Sequence, residues 1–195
     1  MDGADILDAG SGFGQYSYYL STQNNNWTIR GVDVKDEQIA DCNRFFKQIG
    51  KNNVSFAFGD LTKFQEPNRY DLALSVDVME HILKMVFKNI HASLKPGGMI
   101  LIRTPSDQGG SDVHDHDHES FIDEHVRDGY NINEIQEKLK TAGFAKTEAK
   151  YSYGSPGKIS WRLSMKYPIL MLNYKLFLEL FFPFIISLLF LFHCC

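Results

Sequence analysis

Over its first 150 residues the chain alternates short unbroken apolar runs with stretches whose apolar residues recur at helical spacing. Nothing else in the sequence constrains the fold as tightly. Residues 4–8, 27–32, 54–58, 71–76 and 99–103 read as strands. Residues 13–20 read as the first helix. Asp36 caps a second, with Ile39, Cys42, Phe46 and Ile49 on its apolar face and Gly50 closing it. Met79, Ile82, Leu83, Val86, Phe87, Ile90 and Leu94 form one helical stripe, which ends at the turn Lys95-Pro96-Gly97-Gly98. Asn131 or Asn133 opens a further helix through Ile135 and Leu139, ended by Gly143, and residues 144–153 are expected to form a sixth strand. Strands without polar alternation need cover on both faces, which means a mostly parallel sheet with helices on each side. The handedness of crossovers then makes it a doubly wound α/β sheet, whose ligands bind beyond the carboxyl ends of the strands.

The first strand runs into Asp8-Ala9-Gly10-Ser11-Gly12-Phe13-Gly14. A dinucleotide fingerprint wants glycines spaced Gly-x-Gly-x-x-Gly, but its third glycine position is Gln15. A phosphate-binding P-loop would need a lysine after the last glycine, and none follows. An acid at position 8 repels pyrophosphate and favours a cation. The turn therefore suits a nucleoside ligand that is positively charged and carries no phosphate.

With the residues in this order the chain resembles the class I S-adenosylmethionine-dependent methyltransferases, a Rossmann-like family, over residues 4–153. The turn at Asp8, Gly10, Ser11, Gly12 and Gly14 is similar to the family's first motif. Asp33, followed by Val34, matches the acid that binds the ribose hydroxyls; a carboxylate can accept from both hydroxyls of a diol. Asp60 and Leu61 match the adenine-binding position, and Asp77 opens the segment facing methionine and acceptor. Leu94 to Gly98 and Ala142-Gly143-Phe144 resemble small-molecule members of the family. The resemblance implies S-adenosylmethionine as cofactor and methyl transfer to a small or lipid-like acceptor. Glu80, His81 and His125 are the candidate bases for an acceptor that must lose a proton. A protein that binds the cofactor at a membrane without turning it over is the competing expectation. A dehydrogenase is a third, and Gln15 counts against it.

Asp77-x-x-Glu80-His81 is similar to a run that holds a divalent metal in some members, but is read as a helix start lining the cofactor pocket, with no metal assigned. The run at 111–120, with His114, His116 and His118 between acids, is read as a solvated loop. His125 and Arg127, in the turn leading to the last helix, could contact an acceptor. The net charge of −4 argues against a nucleic-acid partner. Three cysteines at 42, 194 and 195 form no disulfide framework, and Met1 to Ala9 is too short and acidic for a leader, so a cytoplasmic location is expected. Residues 1–153 are expected to form the cofactor-binding domain and 154–195 an apolar helical extension, almost wholly Leu- and Phe-rich between 167 and 192. Three readings of that extension stay open. It contacts a membrane interface, it covers an apolar surface, or it belongs to a longer chain of which this is a part.

Overall fold

The computed structural model of the protein describes residues 2–79, 85–107 and 129–151. They form β1 (Asp5–Ala9), α1 (Gln15–Gln23), β2 (Thr28–Asp33), α2 (Asp36–Gln48), β3 (Val54–Phe58), β4 (Tyr70–Val76), α3 (Met85–Ser93), β5 (Leu94–Arg103) and α4 (Ile132–Ala142). The five strands make one sheet in the order β3-β2-β1-β4-β5. Every pairing in it is parallel. The order reverses between β2 and β4, on either side of β1, so the switch point lies where the glycine turn leaves the sheet.

Both faces of the sheet are covered, as the apolar strands require. On one face Ile39, Cys42 and Phe46 of α2 pack against Ile6, Ile29, Val54 and Phe56. On the other, Val86, Phe87 and Ile90 of α3 and Ile135 and Leu139 of α4 pack against Leu7, Ala9, Val32 and Ala73. Phe46 and Phe87 are each 2% exposed. Burying a side chain of that size is worth roughly 1.5–3 kcal/mol. Helix ends follow local chemistry. α2 carries Asp36 and Glu37 in its first turn and Lys47 in its last, each complementing the helix dipole. Asp36 is the first helical residue and makes no cap; Lys35 holds the cap position. Of the two expected openers of α4, Asn131 is the cap: its side chain accepts from the Asn133 N–H at 2.9 Å.

Two sequence expectations need correction. Lys95-Pro96-Gly97-Gly98 does not separate α3 from a strand beginning at Met99. The strand begins at Leu94, directly after the helix, and the four residues form an irregularity within it. Tyr70 pairs with Leu94 but Leu72 with Met99, so two steps along β4 oppose five along β5. β5 has only β4 beside it among the described strands, and an edge is where a proline and a bulge are tolerated. The expected sixth strand is absent from residues 144–151, which are irregular; 152 and 153 lie outside the described residues. The apolar run at 167–192 lies outside them as well. Among the described residues no helix is long and apolar enough to cross a membrane.

Candidate cofactor site

The parallel register brings Ala9, Asp33, Phe58, Val76 and Arg103 to one rim of the sheet. The glycine turn is fastened to that rim largely by main chain. The N–H groups of Gly10 and Ser11 both donate to the Val32 carbonyl, at 2.8 and 3.1 Å, and the Gly14 N–H donates to the Ser11 carbonyl at 2.8 Å. Gly10 has φ 81°, and a Cβ there would strike the Val78 side chain, so only glycine lets the turn meet the segment after β4. Gly14 caps α1 at φ 71°, and a Cβ would lie 2.8 Å from the Phe56 ring. Around Gly12 the space is open.

Asp33 faces this turn with both oxygens engaged. Oδ2 accepts from the Gly12 N–H at 2.9 Å and Oδ1 from the Lys35 N–H at 3.1 Å. Each carboxylate oxygen has two acceptor sites, so one remains on each for a diol. Val34 beside it is 57% exposed and offers an apolar face. At the end of β3, Asp60 Oδ1 accepts from both the Thr62 hydroxyl, at 2.6 Å, and the Thr62 N–H, at 2.9 Å. Those donors hold the Asp60 carboxyl below the usual carboxylate range. Leu61 is turned into the core, so only its main chain can meet a ligand.

Asp8 is placed differently from the reading of a charge at the mouth of the turn. It lies beneath the turn, 2% exposed, where its Oδ2 accepts from the Ser17 hydroxyl at 2.6 Å. Burial raises its pKa to about 6 against the pull of the Ser17 hydrogen bonds, and the neighbouring Asp33 charge adds to the rise. Ser11 is likewise turned inward. Its Cβ lies 2.9 Å from where a Gly31 Cβ would be, and its buried hydroxyl has no hydrogen-bond partner among the described residues. Ser11 therefore shapes the turn from its inner side.

On the far side of the turn Asp77 adopts the left-handed region, φ 52°, which is uncommon outside glycine. Its N–H donates to the Arg103 carbonyl at 2.9 Å. Burial raises the Tyr16 pKa, and the Arg103 guanidinium charge pulls it the other way. The Asp77 and Asp8 charges both raise it further. Tyr16 and Arg103 were not singled out from the sequence. No motif marks them, because they stand far apart in the sequence, on α1 and at the end of β5. Asn89 escaped notice for the same reason: from α3 its amide donates to the Leu61 and Thr62 carbonyls at 3.0 and 2.7 Å, fixing the loop that carries Asp60. Glu80, His81 and His125 lie outside the described residues.

Gly10, Gly12, Gly14, Asp33, Val34, Asp60 and Asp77 thus stand along one rim, with Asp8 under it. The strand order, the glycine turn and the acids at the ends of β2, β3 and β4 define a nucleoside-binding doubly wound domain. Residues 6–98 match the family model of the methyltransferase domain. The domain they form belongs to the class I S-adenosylmethionine-dependent methyltransferases. Among curated proteins the chain is similar to malonyl-(acyl-carrier protein) O-methyltransferase 2 of Ilyobacter polytropus. The two are 32% identical over 103 residues, which is 51% of this chain and 39% of that enzyme. It is 28% identical to phosphoethanolamine N-methyltransferase 1 of Zea mays over 150 residues, 73% of this chain and 28% of that enzyme. Among solved structures, phosphoethanolamine N-methyltransferase 2 of Haemonchus contortus, in complex with S-adenosyl-L-methionine, shares the fold with a TM-score of 0.68. That match is 23% identical and covers 89% of this chain and 41% of that one. The chain spans less than half the length of these relatives.

Proposed function

We propose that the chain binds S-adenosylmethionine along this rim and serves methyl transfer to a small-molecule acceptor. The observation that carries the reading is Asp33, whose carboxylate is oriented by two main-chain N–H groups and keeps acceptor capacity for a ribose diol. The spatial order β3-β2-β1-β4 supports one orientation of the ligand. Adenine lies toward Asp60 at β3, ribose toward Asp33 at β2, and the methionine end toward the glycine turn and Asp77 between β1 and β4. The residues fit this ligand better than a dinucleotide. Asp33, Asp60 and Asp77 stand around the turn with Asp8 beneath it, a set of acids that suits a cationic ligand better than a pyrophosphate.

When bound, the sulfonium supplies an activated methyl group. The protein's part is to hold acceptor and cofactor in line, and proximity of this kind is worth several kcal/mol of barrier. Glu80, His81 and His125 are the residues proposed to take a proton from an acceptor that must lose one. The names of the relatives support small acceptors bearing nitrogen or oxygen. A lipid-like acceptor, with 167–192 at a membrane surface, is a narrower form of the same reading, and a cytoplasmic location is proposed with it.

Calorimetry with S-adenosylmethionine, S-adenosylhomocysteine and NAD tests the cofactor. Binding of the first two, with NAD at least tenfold weaker, is expected. A methyl-transfer assay on phosphoethanolamine and on a lipid extract then tests turnover. Preference for NAD would sink the reading. Binding without transfer to either acceptor would leave a cofactor-binding protein.

A further inference from the structure

The Tyr130 hydroxyl donates to the Met79 carbonyl at 3.1 Å, and both residues are buried, at 4% and 1% exposure. This bond joins positions 51 residues apart in sequence. Tyr130 is held on its own side by main chain. Its N–H donates to the Pro105 carbonyl at 3.0 Å, and its carbonyl accepts from the Asp107 N–H at 3.3 Å. Gly129 allows that approach: at φ 144°, a Cβ would lie 2.5 Å from the Ser106 carbonyl carbon. Tyr130 is therefore a rigid post beside the end of β5, and its hydroxyl reaches across to the segment that leaves β4.

That segment leaves the strand at Asp77, in the left-handed region, and runs through Val78, whose side chain occupies the space a Gly10 Cβ would need, to Met79. A line of contact thus runs from the Tyr130 hydroxyl to Met79, through Val78, to the glycine turn. In the proposed binding mode this is the methionine end of the ligand. Adenine and ribose lie at β3 and β2, away from it.

We infer that Tyr130 is a positioning residue: its hydroxyl sets the Asp77–Val78–Met79 segment against the glycine turn, and so holds the methionine end of S-adenosylmethionine. It touches no ligand atom itself. Losing the donor removes this partner of the buried Met79 carbonyl and frees the segment to move off Gly10. The inference rests on the proposed cofactor reading and adds a prediction that reading does not make. Tyr130 should govern one end of the ligand and not the other.

The test is Tyr130→Phe in the full chain, with S-adenosylmethionine and adenosine as separate calorimetric probes. S-adenosylmethionine should bind about fivefold more weakly, while adenosine affinity stays within about twofold. A role confined to general stability would lower both equally, and that outcome, or no change in either, overturns the inference. Failure of the unsubstituted chain to bind S-adenosylmethionine overturns the cofactor reading, and this inference with it. Should Tyr130→Phe not fold, hydrogen exchange in the unsubstituted chain decides. S-adenosylmethionine should slow exchange of the Asp107 and Tyr130 amides, and adenosine alone should not. Equal protection by both ligands, or none, counts against the coupling.

Discussion

The two halves of the sheet are built by different means. In β1, β2 and β3, with the turns between them, the site is set by main chain acting over short distances in space. Val32 takes two amides from the glycine turn, and Asp33 takes one amide from that turn and one from Lys35. Beyond β4 much of the corresponding work falls to single side chains reaching far along the chain: Tyr130 to Met79, and Asn89 to Leu61 and Thr62. Main-chain fastening tolerates most substitutions of side chain and fails at a few glycines and at the Asp33 carboxylate that takes two of the amides. Side-chain fastening fails wherever the one donor is lost. The first half should therefore break at glycines and carboxylates with large effects, and the second by small, separable steps.

The largest effect is expected at Gly31, in the middle of β2. A Cβ there would enter the Phe56 ring and lie 2.9 Å from the Ser11 Cβ. Gly31→Val forces the turn off the sheet and overpacks a buried strand. It should cost about 3 kcal/mol of stability, read from urea unfolding. A loss below 1 kcal/mol would show that the turn is not pressed on β2 as tightly as main-chain fastening requires.

Next comes Asp33→Ala. It removes the acceptor of the Gly12 and Lys35 amides and of the proposed diol, and should weaken S-adenosylmethionine binding by about 2 kcal/mol, near thirtyfold. Calorimetry checks it. Unchanged affinity would remove Asp33 from the site.

Asp8 gives a smaller effect with a definite pH signature. Its pKa of about 6 in the folded protein stands above the 3.8 of an ordinary aspartate. Between those values the folded state keeps a proton that the unfolded state has lost. Rising pH therefore favours unfolding across that window, and the stability from this group falls until the pH passes about 6. Cofactor binding should run the other way, because a cationic ligand favours the ionised acid. At pH 5 about one Asp8 in ten is ionised, so S-adenosylmethionine should bind about tenfold more weakly than at pH 7. Asp8→Asn should flatten both slopes. A pH-independent affinity in the unsubstituted chain would mean that Asp8 serves the turn, through Ser17, and not the ligand.

The same contrast explains what could be read in the sequence. The alternation of apolar runs and helical stripes yields a parallel sheet covered by helices, because burial on both faces leaves few other arrangements. Asp33 and Asp60 are legible because each stands at a strand end, where a parallel sheet always opens. The burial of Asp8 is not legible. It depends on Ser17 turning inward one helical step into α1, and nothing in the pattern distinguishes that serine from Ser21 or Thr22. The start of β5 is missed because a proline and two glycines read as a turn, while an edge strand can carry them as a bulge. Tyr16, Asn89, Arg103 and Tyr130 join elements that only tertiary packing brings together, and local periodicity holds no record of such pairs.

The smallest expected effect is at Asn131, and it sharpens the contrast most directly. Asn131 follows Tyr130 and caps α4 through the Asn133 N–H. Asn131→Ala should cost about 1 kcal/mol of stability, because the amide loses its partner. It leaves the Tyr130 hydroxyl in place, so S-adenosylmethionine affinity should stay within about twofold of the unsubstituted chain. Two neighbouring residues are thus expected to behave differently. Tyr130→Phe changes the ligand's methionine end, while Asn131→Ala loosens the start of α4 and an exposed tie from the Asn131 amide to the Asp107 carboxylate at 3.1 Å. If Asn131→Ala weakens S-adenosylmethionine as much as Tyr130→Phe does, the effect travels through α4 as a whole. The second half of the sheet would then be one cooperative unit, not a set of separate side-chain fastenings.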